Sequence, residues 1–510
     1  MIKTILTVTL FISILLHTTQ VSSGNTQEKF LQVKGEKILD ASGKRILLRG
    51  INVQFKHFKH ALGEQDIRRI ADSAWNSIRL VIDYRDFVVE PFNYNEANFT
   101  LLDTLLNWCK KYAVFVVLDM HLAPGIQNSH DFVVHRQTAF DFWSKDEHQE
   151  CFYSLWEKIA ERYAQQTIVA GYDLLNEGEP PTGKDYIRVM STTIKKIRSR
   201  DKNHILIIEE ALLPGGRNEL FLFPDKNTVY SIHFFYPSSF TLYVTTTERV
   251  ALTYPGAMTT FGEKIGETKT GTMTGDNGWS RVSVRARPPE GAELLLVNIS
   301  SYGNAGTVFV DDIMLEVDGR TLELPAPLVS NSSFEIDYPG ISWNIRGACV
   351  SVTDKAAHTG KFSLALSGCQ TPGSATSSPF EVEQGEYRLS GWYSSERATG
   401  ENVLSLSWHK RRMLGHVDRK AILEQLGYAL RFKSLHKVPL YVGEFTAHAN
   451  PARESVVRYL QDLTSIMRDE GLHWSFWEYY SEYPGVGIYT KDLRLINPVA
   501  LDVLSRPPRE

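Results

Sequence analysis

From residue 30 to about 245, short apolar runs alternate with stretches whose apolar side chains recur at i, i+3 and i+4. The runs predict strands over 46–51, 77–82, 113–120, 168–175, 204–209 and 228–234. The periodic stretches predict helices over 101–112, 149–163 and 184–197. In the second of these, Phe152, Leu155, Trp156, Ile159 and Ala160 share one face. Strands that alternate with helices argue for a parallel sheet, because each crossover needs a helix-length connection.

Between about 255 and 405 the helical period nearly vanishes. Short runs of period two replace it, at 281–286, 293–299, 307–317, 348–353, 361–366, 386–392 and 403–408, separated by Gly, Pro, Ser and Asn. That pattern predicts an antiparallel sandwich or jelly roll. After about 410 the first pattern returns, with helices over 420–435 and 452–467 and strands over 438–443 and 473–479. Six strands before the break and two after it make the eight of a (β/α)8 barrel. The expected fold is therefore α/β, a TIM barrel over 30–250 and 405–505. It is interrupted after strand six by an all-β module over 255–404.

A length of 510 residues suits two domains. The net charge of −4 argues against nucleic-acid or anionic-membrane partners. Lys3, the apolar stretch 5–16 and the compact residues 21–23 predict a signal peptide over 1–23, hence a secreted, extracellular protein. The apolar stretch is too short to span a bilayer. Of the four cysteines, Cys349 and Cys369 lie near enough in sequence to pair, while Cys109 and Cys151 fall in helical stretches as buried thiols. Glycosylation sequons occur at Asn98, Asn298 and Asn331.

Two apolar runs end in glutamate: Tyr172-Asp-Leu-Leu-Asn-Glu177, and Leu440-Tyr-Val-Gly-Glu-Phe445. A strand that buries its body and presents a carboxylate at its C-terminal tip suits a barrel with its site above the strand ends. Cleaving a glycosidic bond takes one carboxylic acid to protonate the leaving oxygen and a second carboxylate to meet the cationic centre. Other polar residues collect at the same ends: Arg79, His121, Asn176, His233 and Trp477. Singly, each reads as a structural residue; together they point to a site. His121, His130 and His135 lie close in sequence, but no His-Glu-x-x-His spacing or phosphate-binding glycine loop occurs. No metal and no cofactor are expected.

Taken in order, Leu48-Arg-Gly-Ile-Asn52, Ile78-Arg-Leu80, Asp119-Met-His121, Ala123-Pro-Gly125, Gln127-Asn128, Asp173-Leu-Leu-Asn-Glu177, His233, Val442-Gly-Glu-Phe445 and Trp477 resemble glycoside hydrolase family 5. This is the cellulase family of the retaining barrel clan. The resemblance implies Glu177 as acid/base, Glu444 as nucleophile and Arg79 as the partner of Glu444. It further implies Asn176 on the sugar 2-hydroxyl, His121 and His233 lining the reactive subsite, and Trp477 as its floor. There are two departures. The family's tyrosine two residues after the strand-six histidine is Phe235 here, so either Tyr236, the next residue, takes over its substrate-site role after a local shift or that contact is missing. The family's proline after the acid/base is replaced in Glu177-Gly-Glu-Pro180, which makes Glu179 a neighbouring carboxylate.

The insert resembles carbohydrate-binding-like sandwich modules, most clearly over Val308-Phe-Val-Asp-Asp-Ile-Met-Leu-Glu316. Trp279, Trp343 and Trp392 are either sugar platforms or core, and Asp311 and Asp312 either calcium ligands or a strand-end pair. The expected protein is a secreted, monomeric retaining hydrolase of β-linked glucan-type or related polysaccharides or oligosaccharides. A transglycosylase on the same scaffold and a non-catalytic glycan-binding barrel are the alternatives.

Overall fold

The computed structural model describes residues 30–129, 141–214, 216–242, 253–322, 332–335, 343–347, 349–377, 379–481, 485–490 and 492–506. The predicted leader, His130, His135 and Asn331 lie outside them. Eight parallel strands close a barrel in chain order. They are β1 (Arg49–Gln54), β2 (Ser77–Asp83), β3 (Phe115–Leu122), β4 (Val169–Asp173), β5 (Ile205–Glu209), β6 (Thr228–Phe234), β7 (Leu440–Phe445) and β8 (His473–Phe476). Closure runs through Trp474 of β8, which pairs with Arg49 of β1. Helices α1 (Glu64–Asp72), α2 (Glu96–Lys111), α3 (Asp146–Tyr163), α4 (Gly183–Arg200), α5 (Arg419–His436) and α6 (Arg453–Asp469) lie among the connections. The start of α5 is fixed by Asp418, whose side chain accepts from the Ala421 N–H at 3.0 Å, a cap worth about 1 kcal/mol.

Several elements depart from expectation. The run 46–51 splits, because Arg45–Ile46 joins a small antiparallel sheet with Gln32–Lys34 and Lys37–Leu39, and β1 starts only at Arg49. The helix α1 was not predicted; only Ile67 and Ile70 of its side chains are buried and apolar, too few to show a stripe. The strands β4 and β8 are shorter than their apolar runs, so Asn176, Glu177 and Trp477 stand on the loops just beyond them rather than on the strands.

Inside the barrel, an apolar floor is built from Val117, Ile205, Ile207, Val229 and Tyr441, with Leu31, Ile38 and Leu48 of the N-terminal segment packed against it. Side chains two residues further along a strand share a face. Asp119 and Glu209 therefore rise above Val117 and Ile207, and both are fully or almost fully buried.

Between β6 and β7 stand two six-stranded sheets, formed by strands from Gly256–Lys269 to Glu401–Val417. The first of these strands was not predicted, since its run of Gly, Lys and Glu hides the alternation. It pairs antiparallel with the last, from Gly256 opposite Val417 to Lys269 opposite Ser405, making a ribbon between barrel and sandwich. Met258 and Val417 belong to the barrel core, whereas Leu295, Val308, Leu364, Leu406, Trp343 and Trp408 belong to the sandwich core. The last strand thus runs beyond residue 405, where the barrel was expected to resume.

Cys349 and Cys369 form a disulfide, and Cys109 and Cys151 are buried free thiols. On the sandwich, His358 stacks on Trp392 at 4.1 Å and meets Trp279 edge-on at 5.5 Å. Asp311 accepts the backbone N–H groups of Asp312, His358 and Thr359, and Asp312 accepts from Thr359 Oγ1 and faces His358 Nδ1. These carboxylates brace a loop. The Asn98 and Asn298 side chains are likewise held in internal hydrogen bonds, to the Asp86 carbonyl and to Ser407 Oγ. Among the described residues no helix is long and apolar enough to cross a membrane.

Candidate active site

Arg79 organises the mouth of the barrel. It sits on β2 with no solvent exposure and reaches four carboxylates on four other strands. Its Nε donates to Asp173 Oδ2 at 2.8 Å and its Nη1 to Glu444 Oε1 at 2.7 Å. Its Nη2 lies 2.7 Å from Glu209 Oε1 and 2.9 Å from Asp119 Oδ1. Nη1 also donates to Asn52 Oδ1 at 3.1 Å and Nη2 to Asn176 Oδ1 at 3.2 Å. A planar fork with five donors is suited to this many acceptors at fixed angles. The acids raise its proton affinity well beyond the ordinary value against the pull of burial.

Glu444 ends up 4% exposed. Burial pushes its carboxyl up, and His233, Arg79 and His121 pull it back toward the charged form. Glu177 follows β4 with a backbone φ of +44°, a left-handed conformation that costs a side-chain-bearing residue of order 1 kcal/mol. Its N–H donates to Glu209 Oε2 at 2.8 Å, which pins that turn. Across the mouth, His233 Nδ1 lies 2.8 Å from Glu177 Oε1 and 3.6 Å from Glu444 Oε2. Carboxylate oxygens of Glu177 and Glu444 come within 4.8 Å of each other, with a His233 nitrogen in the same cluster.

His121 stacks on Trp477 with ring centroids 5.4 Å apart and planes 14° apart, and its Nδ1 is 2.9 Å from Asp119 Oδ2. The structure thus brings Arg79, His121, Asn176, Glu177, His233, Glu444 and Trp477 into one site. Tyr236 lies at its edge. Its ring packs near Phe234 and lines a cavity of about 490 Å3 with His233, Phe235 and Tyr428, and its carbonyl accepts from Tyr459 Oη. Glu179 turns away into a loop clamp, accepting from Ser129 N–H at 3.0 Å and Ser129 Oγ at 2.9 Å.

Among the described residues two clusters have the donors of a cation site: Glu177, His233 and Glu444, and Asp119, Asp173 and Glu209. In the second, the guanidinium of Arg79 already supplies the positive charge. Asp173 responds to burial and to Glu209 by rising well above the usual carboxylate range.

Asp119, Asp173 and Glu209 were not among the expected site residues, although they complete the Arg79 cluster. The signal was available. Glu209 ends the apolar run Ile205-Leu-Ile-Ile-Glu209, the same pattern that marked Glu444.

The family model for cellulase (glycosyl hydrolase family 5) matches residues 39–278. The chain carries a family 5 glycosyl hydrolase domain. The matched stretch includes β1–β6 with Arg79, Glu177 and His233; Glu444 and Trp477 lie beyond it, on the part of the barrel that follows the insert. The relatives differ in what they are named for. Endoglucanase C of Acetivibrio thermocellus is 32% identical over 36% of this chain and 54% of its own length. A beta-xylosidase of Phanerodontia chrysosporium is 26% identical over 40% and 51%. An endoglycoceramidase of Hydra vulgaris is 23% identical over 44% and 59%. The chain thus spans only a little over half the length of these relatives.

Proposed function

We propose that this family 5 protein is a secreted retaining β-glycoside hydrolase. The observation that carries the reading is the approach of Glu177 and Glu444 carboxylate oxygens to within 4.8 Å. Retaining enzymes hold their two carboxyls about 5–5.5 Å apart, whereas inverting ones leave about 6.5–9.5 Å for a water molecule. Glu444, held by Arg79, attacks the anomeric carbon, while Glu177 protonates the glycosidic oxygen and releases the aglycone. Glu177 then takes a proton from water, whose oxygen displaces Glu444 from the glycosyl ester. Asn176 holds the 2-hydroxyl in this reading, and the Trp477 indole offers an apolar face to the ring. The substrate class is a β-linked glucan or related oligosaccharide, in keeping with the endoglucanase relative; Glu177 and Glu444 together disfavour an inert glycan-binding barrel.

The test is hydrolysis of β-glucans, β-mannans and aryl β-glycosides by the full chain. Proton NMR would follow the anomer released first, and a 2-deoxy-2-fluoro glycoside would trap the ester. The expected results are a β-anomer first product and a label on Glu444. An α-anomer, or no turnover on any of these substrates, would refute the reading. Products longer than the substrate would point instead to transglycosylation.

A further inference from the structure

His233 has a carboxylate oxygen facing each ring nitrogen. Nδ1 is 2.8 Å from Glu177 Oε1, and Nε2 is 3.3 Å from Glu209 Oε1. The imidazole side chain is only 7% exposed. A neutral ring has one N–H, which would leave a lone pair set against a carboxylate at the other nitrogen. An imidazolium turns a proton toward each, through a hydrogen bond at Nδ1 and a charge contact without hydrogen-bond geometry at Nε2. Glu209 is fixed as the anion of this pair, since it also takes Arg79 Nη2 at 2.7 Å and the Glu177 N–H at 2.8 Å. Burial works against its charge, but His233, Arg79 and that N–H hold its carboxyl down at about 2.

The groups facing His233 come from several elements. Glu177 follows β4, Glu209 and Glu210 stand at the end of β5, and Glu444 is on β7; Arg79 on β2 and His121 on β3 share Glu444 with it. Burial disfavours the charged ring. Glu209 and Glu444, then the contacts with Glu177 and Glu209, outweigh it and raise the ring well above its ordinary value. The residue two positions on, where the resembled family carries a tyrosine, is Phe235, which meets His233 edge-on at 6.4 Å and has no proton to offer.

We propose that Glu209 is a positioning residue that fixes His233 as an imidazolium, with its carboxylate facing Nε2–H as a charge contact and the Nδ1 proton shared with Glu177. The Glu177–His233 couple is then the proton store of the site. This rests on the acid/base reading of Glu177. In the first half-reaction the Glu177 proton goes to the glycosidic oxygen, and the couple is left one proton short, with Nε2–H retained. In the second, Glu177 accepts a proton from the attacking water, the ester C–O electron pair returns to Glu444, and the proton settles again between Oε1 and Nδ1. Nothing is oxidised or reduced, and the couple ends as it began.

The decisive measurement is 15N NMR of histidine-labelled full-length protein, which needs no turnover. The His233 signals should remain those of a doubly protonated ring up to pH 8 in the wild type. In Glu209→Gln the ring should titrate at lower pH, and the alkaline limb of kcat/KM should move down by about one unit or more. Glu209→Asp should restore part of both. A His233 ring that is neutral at pH 6 in the wild type overturns the proposal, as does a Glu209→Gln enzyme that is uniformly slower with its alkaline limb unmoved. If Glu209→Gln does not fold, the wild-type spectrum still decides. Failure of the hydrolase reading would appear separately, as absence of turnover in wild type whose His233 spectrum is unaffected.

Discussion

At the scale of single residues, the site is a problem of like charges solved by one cation. Arg79 stands among Asp119, Asp173, Glu209 and Glu444, all of them buried from solvent. Removing one partner of a buried ionic cluster costs about 3–5 kcal/mol, because the remaining charges are stranded. Arg79→Met should therefore lower the denaturant midpoint by an amount of that order, as well as abolish turnover. Glu177→Gln should behave differently, since Glu177 is the more exposed of the two glutamates. It should fold normally and lose about 10²–10⁴-fold in kcat on substrates with poor leaving groups. On activated aryl glycosides the first step needs no acid, so a smaller loss is expected there.

Glu478 offers a stability test at the same scale. It is fully buried, accepts from Gln54 Nε2 at 2.7 Å, and is pushed by burial up to about 8. In the unfolded chain a glutamate ionises near about 4.3. Between those two values the folded state holds a proton that the unfolded state has lost, so stability falls as pH rises through the window and is lowest above it. Glu478→Gln keeps the acceptor and removes the titration. Its unfolding free energy should vary less between pH 5 and 8 than the wild type's, in urea melts at matched ionic strength.

The residues that could be read from sequence were those whose charge breaks an apolar run, as Glu177 and Glu444 do. The pairing of Arg79 with Glu444 came with the family resemblance; what could not be read was the rest of its company. That Arg79 also bonds to Asp173 and Glu209 depends on register between strands far apart in the chain.

At the scale of elements, all eight barrel strands were legible because a buried parallel strand is a short apolar run between helical stretches. Their ends were less so. Burial continues through Leu174 and Leu175 after the ladder of β4 has stopped, and hydropathy follows burial rather than pairing. The first strand of the insert escaped because it is a ribbon exposed along much of its length. That ribbon makes a prediction. Phe261 and Arg411 are paired neighbours, so a tight two-residue turn can join the strands just beyond them. A chain lacking residues 263–409 should fold and keep its activity on aryl glycosides, as measured by circular dichroism and initial rates. A truncated protein that is insoluble or molten would show that the sandwich holds the barrel together.

At the scale of the whole molecule, barrel and sandwich have separate cores, so more than one unfolding transition is expected in calorimetry. The disulfide Cys349–Cys369 lies wholly in the sandwich, and its partners are 20 residues apart in sequence. Closing a loop of that size contributes about 3 kcal/mol by restricting the unfolded chain. Mild reduction should therefore lower the sandwich transition and leave the barrel transition where it was.

The position of the insert also sets a timetable for synthesis. Strands β1–β6 leave the ribosome as an open, curved sheet, while β7 and β8 wait behind about 200 further residues, roughly 10–40 s at ordinary elongation rates. During that interval β1 and β6 are bare edges, the kind of surface that recruits foreign strands. The nascent chain must be sheltered until the last two strands arrive, and Glu444 comes with them, so the half-made barrel is inert as well as unfinished.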